Sequence, residues 1–257
     1  MRKLLYIILP AILALCANCQ GRTDKTDESA YDSSAFHIAL LPIDECQPFL
    51  LAESAGLYDS LGISVQIHNY EAAMDVDTAL MNGFVQMGIC DSVKMISLQE
   101  KCDTIDTLVC MMKDHLSLSL IMSEQITAKN LKKLKEKVVA LTRNSSLDYF
   151  ADKITEKAKL THEELNRPQI NNIRLRRQMQ GQAQYDGCIL PEPWATECLD
   201  SMNFRVITSD QLCPLQFYAV VKKSTQGKHK QEISKVLEAY RIAKERIELQ
   251  RKENRDD

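Results

Sequence analysis

From Phe36 onward the chain alternates short strand-like runs with helix-like ones, and this rhythm constrains its fold more than any other feature. "FHIALLP" reads as a strand and "CQPFLLAESAGLY" as a helix, with Pro48 in its first turn and Gly56 near its end. "SVQIHN" and "VQMGIC" are strands flanking a helix from Glu71 to Asn82, and a helix follows over Ser92 to Lys101. "TLVCMM" and "LSLSLIM" then read as two strands. A second round follows: a helix near Leu131, the strand "KVVALT", a helix from Leu147 to Lys159, a strand near Ile170 and a helix over Arg174 to Gln180. "YDGCIL" is a strand, a helix starts at Trp194, and "FRVIT" and "QFYAVVKK" are the closing strands. Ile233, Val236, Leu237, Tyr240 and Ile247 give the long terminal helix an apolar face. Such alternation predicts an α/β protein with mainly parallel sheets, and two rounds of it predict two lobes.

The N-terminus departs from this pattern. Arg2 and Lys3 precede an uncharged apolar run from Leu4 to Cys16, and a polar stretch follows. A basic start with a short apolar core is an export signal, too short for a comfortable membrane span. A cysteine just after the core adds the expectation of a lipid anchor, at Cys19 or else Cys16. Residues 1–19 are thus read as signal and 20–35 as a tether.

The net charge of −3, with both signs mixed along the chain, gives no electrostatic footprint for nucleic acid. The seven cysteines beyond the signal region form no CxxC pair and do not sit with histidines at metal spacing, so no metal or cofactor is expected. Several, including Cys90, Cys110 and Cys188, lie in apolar runs and read as small core residues. The five histidines are scattered, with no nucleophile–base pair and no glycine-rich phosphate loop, so an enzyme is not expected.

In open parallel sheets, ligands sit at the carboxyl ends of strands, where loops lead into helix N-termini. There this chain places Asp44 and Gln47, Asp91 and Ser92, Asn144 to Ser146 (Ser145 between them), and Glu192 with Trp194. Each acid or hydroxyl is also a fair helix cap, the alternative reading for all of them. Glu192 is the least easily explained as a cap, because Pro191 and Pro193 stiffen the backbone on both sides.

Three stretches carry a resemblance: Ala52, Glu53, Gly56, Leu57, Tyr58 and Gly62 as "AE..GLY...G"; Ala79, Leu80 and Gly83 as "AL..G" before a strand; and Pro191 to Thr196 as "PEPWAT". Together they resemble the solute-binding proteins of ABC importers, in the branch that binds sulfonate, taurine, nitrate or thiamine-pyrimidine precursors. The resemblance implies a two-lobed periplasmic-binding-protein type II fold, with two hinge strands between sheets flanked by helices. Residues 36–123 and 215–257 would form one lobe and 124–214 the other. It also implies a monomer, outside the cytoplasm, that passes a small molecule to a membrane permease. Three carboxylates at the candidate cleft favour a donor-bearing heterocycle such as an aminopyrimidine. The alternatives are a sulfonate, taurine or nitrate ligand, or a biosynthetic enzyme on the same fold.

Overall fold

The computed structural model describes residues 31–101 and 107–256. The expected signal, the lipid-bearing Cys16 or Cys19, and most of the tether lie outside the described residues, as does Cys102.

The described residues build two sheets. The first has the order β2-β1-β3-β9-β4, from β1 (Phe36–Leu40), β2 (Val65–Asn69), β3 (Met87–Asp91), β4 (Leu108–Leu116) and β9 (Leu215–Lys222). The second has the order β6-β7-β5-β8, from β5 (Leu118–Met122), β6 (Val139–Ala140), β7 (Gly187–Pro191) and β8 (Phe204–Thr208). Within each sheet all strands but one run the same way. The exceptions are β9, antiparallel to both β3 and β4, and β5, antiparallel to both β7 and β8. The strands of each sheet are thus mainly parallel, as expected, with one reversed strand that makes each sheet mixed. The reversed strands are those on which the chain arrives from the other sheet. The first passage is at Ser117, between β4 and β5, so Leu118–Met122 is a strand of the second sheet. The return passes through the 3-10 turn at Ser209–Gln211 into β9.

The helices pack by their apolar spacing. The helix α1 (Gln47–Ser54) stops where Gly56 takes a left-handed φ of 65°, a conformation cheap only for glycine, and α2 (Leu57–Ser60) follows at once. Next come α3 (Ala73–Met81) and α4 (Ser92–Lys101). In the second half, α5 (Ser146–Ala158) buries Phe150, Ala151, Ile154, Thr155 and Ala158, a single stripe at helical spacing. It is followed by α6 (Ile173–Gly181) and the four-residue α7 (Trp194–Glu197). After β9 come α8 (Lys223–Lys228) and α9 (Lys230–Asp256). Ile233, Val236, Ala239, Tyr240 and Ala243 bury the inner face of α9, and the Tyr240 ring meets that of Phe49 in α1 at 4.6 Å. The C-terminal helix thereby ties the end of the chain back to the first sheet's layer.

One expected element is reduced. The strand near Ile170 contributes only isolated bridges, Val138 to Asn166 and Leu141 to Gln169. Pro168 lies between the bridging residues and has no N–H to donate, so a ladder cannot run through. The cysteines follow the core expectation at Cys46, Cys90, Cys188, Cys198 and Cys213, whereas Cys110 is exposed on β4.

Candidate functional site

The ends of the two sheets face each other across a cavity of about 60 Å³. The first sheet and its loops supply Leu41, Ile43, Ile89, Asp91, Leu116 and Phe217 among its walls. The second supplies Leu118, Thr142, Ser145, Asn171, Ile173, Arg176 and Pro191. Most of the wall is apolar, with a few polar groups converging on it, as in small-molecule sites generally.

The two halves are held together around this cavity. The Glu71 carboxylate, after β2, accepts from Asn172 Nδ2 at 2.9 Å and from Arg174 Nε, and the Glu71 carbonyl accepts the Ile173 N–H at 2.8 Å. Trp194 Nε1 donates to the Pro42 carbonyl, and the Asp44 N–H donates to the Glu192 carbonyl at 2.9 Å. Asn172 does two jobs, since its Oδ1 also caps α6 by accepting the Leu175 N–H at 2.7 Å.

The wall residues are set in place by caps. Ser145 opens α5: its hydroxyl donates to the Thr142 carbonyl at 2.7 Å and accepts the Leu147 N–H at 3.2 Å. Asp91 ends β3 and accepts the Lys94 N–H at 2.9 Å, capping α4. Burial holds the Asp91 carboxyl above the ordinary aspartate value, although the Lys94, Ser146 and Val93 N–H groups favour its charge. Ser146 is the first residue of α5, so Asp91 of one half meets the helix N-terminus of the other.

Arg176, on the inner face of α6, is the least expected residue in the wall. It is 1% exposed. One nitrogen, Nη1, donates to Thr142 Oγ1 at 3.1 Å and to the Ile170 carbonyl, while Nε has no partner. Burial pushes its pKa down to about 10, which leaves it charged at neutral pH. Among the described residues no carboxylate pairs with it. The comparison within the same half is Arg167, also buried, which meets Asp148 at 3.2 Å and Asp152 at 2.5 Å.

Of the residues expected from sequence, the structure brings Asp91 and Ser145 to the cavity wall and sets Ser146 against Asp91. The others do not line it. Gln47 is exposed at the start of α1, and Asn144 is exposed with a left-handed φ of 52°. Ser92 faces a separate hollow with Ile96 and Tyr149. Asp44 and Glu192 line another hollow, with Glu45, His115 and Arg251. Both Glu192 oxygens are engaged: one pairs with Arg205, the other accepts the Thr196 N–H at 2.9 Å and so caps α7. The Glu192–Pro193 bond is cis. Trp194 is 8% exposed and has Arg174 and Arg177 over its ring at 5.3 and 6.0 Å. Of the three carboxylates on which the heterocycle expectation rested, only Asp91 lines the cavity. Sequence reasoning missed Thr142, Asn171 and Arg176. Only the last left a trace, as a cation in register with Ile173 and Gln180 on the buried side of α6.

Among the described residues there is no group of three His, Cys, Asp or Glu side chains placed to hold a metal ion, and no helix long and apolar enough to cross a membrane.

The sequence profile of the family described as "NMT1/THI5 like" matches residues 44–247. No curated protein matches the sequence at a significant level. Among solved structures, the aliphatic sulphonate binding protein SsuA of Escherichia coli is similar at a TM-score of 0.65 and 15% identity, over 86% of this chain and 76% of that one. The nitrate-binding protein NrtA of Synechocystis PCC 6803 gives a TM-score of 0.69 at 8% identity, over 82% and 61%. A zinc-bound ligand-binding component of an ABC-type import system from Staphylococcus aureus gives 0.69 at 11% identity, over 82% and 73%. At such identities the likeness is one of fold, that of the type II periplasmic binding proteins.

Proposed function

The chain belongs to the NMT1/THI5-like family, and from that footing we propose that it is the extracytoplasmic solute-binding component of an ABC importer. It captures a small molecule between its lobes and passes it to a permease, without chemical change. The observation that carries this reading is the cavity walled by both halves of the chain and closed by hydrogen bonds between them around Glu71. Two passages between the sheets, at Ser117 and through Ser209–Gln211, are the natural hinges for opening it. The proteins of similar fold named above include binding proteins for sulphonate and nitrate. The proposal keeps the membrane anchor expected at Cys19 or Cys16, which mass spectrometry of the membrane-bound form would read directly.

A test needs no prior choice of ligand. Purified protein is incubated with a small-molecule extract, desalted, and its retained compounds are identified after denaturation. At least one compound should be retained unaltered and should raise the melting temperature with concentration, as mass action requires. A protein that retains nothing, or that converts what it retains, would sink the reading.

A further inference from the structure

Cys188 and Cys198 differ from the other described cysteines in that their side chains are hydrogen-bonded to each other. Both are free thiols in the structure. Cys188 stands within β7, opposite Ile121 of β5 and beside Ala140 of β6, and is fully buried. The chain leaves β7 at Pro191, turns through α7 and closes that helix with Cys198, whose N–H donates to the Trp194 carbonyl at 3.1 Å. The short helix thus brings the second thiol back onto the strand that carries the first.

The surroundings give the two thiols different roles. Consecutive guanidinium groups of α6 serve them, Arg176 beside Cys188 and Arg177 beside Cys198. Arg177 is fixed there by donating to the Glu197 carbonyl at 3.2 Å. The hydrogen bond from Cys188 holds the Cys198 thiol below its ordinary value, with Arg177 adding to the fall and burial opposing it. Burial pushes Cys188 the other way, and Cys198 adds to that rise. The thiolate is the nucleophile in disulfide chemistry, and such thiols sit in electropositive surroundings. Access points the same way. Cys198 is 6% exposed and leads into a turn whose residues Leu199 to Met202 are all exposed, whereas Cys188 is sealed. Elsewhere burial only raises the thiols of Cys46, Cys90 and Cys213.

We propose that Cys188 and Cys198 are a disulfide-forming pair, oxidised by exchange with a disulfide-bearing oxidant, that fastens the end of α7 to β7. The Cys198 thiolate attacks one sulfur of the oxidant, forms a mixed disulfide and expels the other sulfur as a thiolate. Cys188 then passes its proton to that leaving thiolate, with Arg176 favouring the charge it gains, and attacks the Cys198 sulfur. The oxidant's second sulfur leaves and takes up a proton, so two protein thiols are oxidised and one disulfide is reduced to two thiols. The segment so closed carries Glu192 and Trp194, which reach across to the first sheet's side at Asp44 and Pro42. Disulfides persist in oxidising compartments outside the cytoplasm, where the solute-binding reading puts this chain. The pairing itself does not depend on that reading.

The test takes the whole mature protein, reduced with dithiothreitol, desalted and then exposed to oxidised glutathione. Remaining thiols are alkylated and the peptides are mapped without reduction. Cys188 should be found joined to Cys198, with no glutathione left on either. The oxidised protein should melt about 5–10 °C above the reduced one, the shift for a disulfide closing a short loop in a domain of this size. Cys198→Ala, treated in the same way, should yield no joined peptide and lose that rise, while its reduced form should bind a retained solute as the wild type does. If Cys198→Ala fails to fold, the peptide map of the wild type decides alone. Recovery of Cys198 as a stable mixed disulfide with glutathione, of both residues as alkylated thiols, or of either joined to a different cysteine overturns the pairing. A joined pair without the rise in melting temperature overturns the fastening. None of these results touches the solute-binding reading, which the extract experiment scores in either redox state.

Discussion

At the scale of single residues, the molecule spends stability on groups that are not neutralised, and Glu45 shows this away from the cavity. One of its oxygens accepts the N–H of Ser117, the residue at which the chain passes between the sheets, at 2.9 Å; the other is buried without a partner. Burial is the main reason its pKa is pushed up to about 7, with neighbouring Asp44 adding to the rise; the Ser117 N–H and His115 act against it. Asp114, His115, Tyr240 and Lys244 share its hollow. The sign follows from where the proton sits. Between the unfolded value of 4.5 and about 7, the folded protein holds a proton that the unfolded chain has released. Stability from this group is therefore full below that window and is lost as pH rises through it, by about 3 kcal/mol at 1.36 kcal/mol per pKa unit. Glu45→Gln cannot titrate. In urea denaturation its stability relative to wild type should improve by about 3 kcal/mol between pH 4 and pH 8. A gap that stays constant across that range would contradict the assignment.

At the scale of elements, period and punctuation located most of the strands and helices, but not their direction. Nothing local in "LSLSLIM" or "QFYAVVKK" distinguishes a reversed strand from its neighbours; β5 and β9 are reversed because the chain enters each sheet from the other. The same limit governs the site. Asp91 and Ser145 were legible because strand ends are where a parallel sheet exposes its caps. The pairing of Glu192 with Arg205 was not legible, because Arg205 lies in β8, beyond α7, and no spacing rule reports such a contact. Arg176 was missed because a cation in "IRLRRQMQG" looks like a solvated helix face until the helix is seated. Glycine makes a sharper statement about packing. A Cβ on Gly187, at the start of β7, would lie 2.2 Å from Met122 Sδ and 2.6 Å from the Ile121 carbonyl oxygen of the paired strand. The sulfur can swing away but the carbonyl belongs to the ladder, so Gly187→Ala should cost about 3 kcal/mol by overpacking. Gly227 in α8 has nothing within 4 Å of such a Cβ, and Gly227→Ala should gain about 0.5–1 kcal/mol from helix propensity. Urea midpoints of the two variants that moved the same way would refute this account of β7.

At the scale of the whole molecule, the question is whether the halves part, and the chain carries its own probe in Trp194, its only tryptophan. The indole belongs to the second half, yet its N–H donates to the Pro42 carbonyl of the first, and two guanidinium groups cover its ring. One of those, Arg174, is itself held by Glu71 across the junction. Parting the halves would break the bond to Pro42, release Arg174 and wet a side chain now 8% exposed. Ligand that favours the closed arrangement should therefore shift tryptophan emission to the blue, with the same concentration dependence as binding. Glu71→Gln removes the charge that fixes Arg174. Because the pair is well exposed, at 62% and 37% of its side-chain surfaces, its loss should weaken closure by no more than about 1 kcal/mol. The variant should then start from redder emission and need roughly up to fivefold more ligand to reach the same end point. Emission that ignores ligand in both proteins, while calorimetry reports binding, would mean that the halves do not move and that the cavity fills by another route.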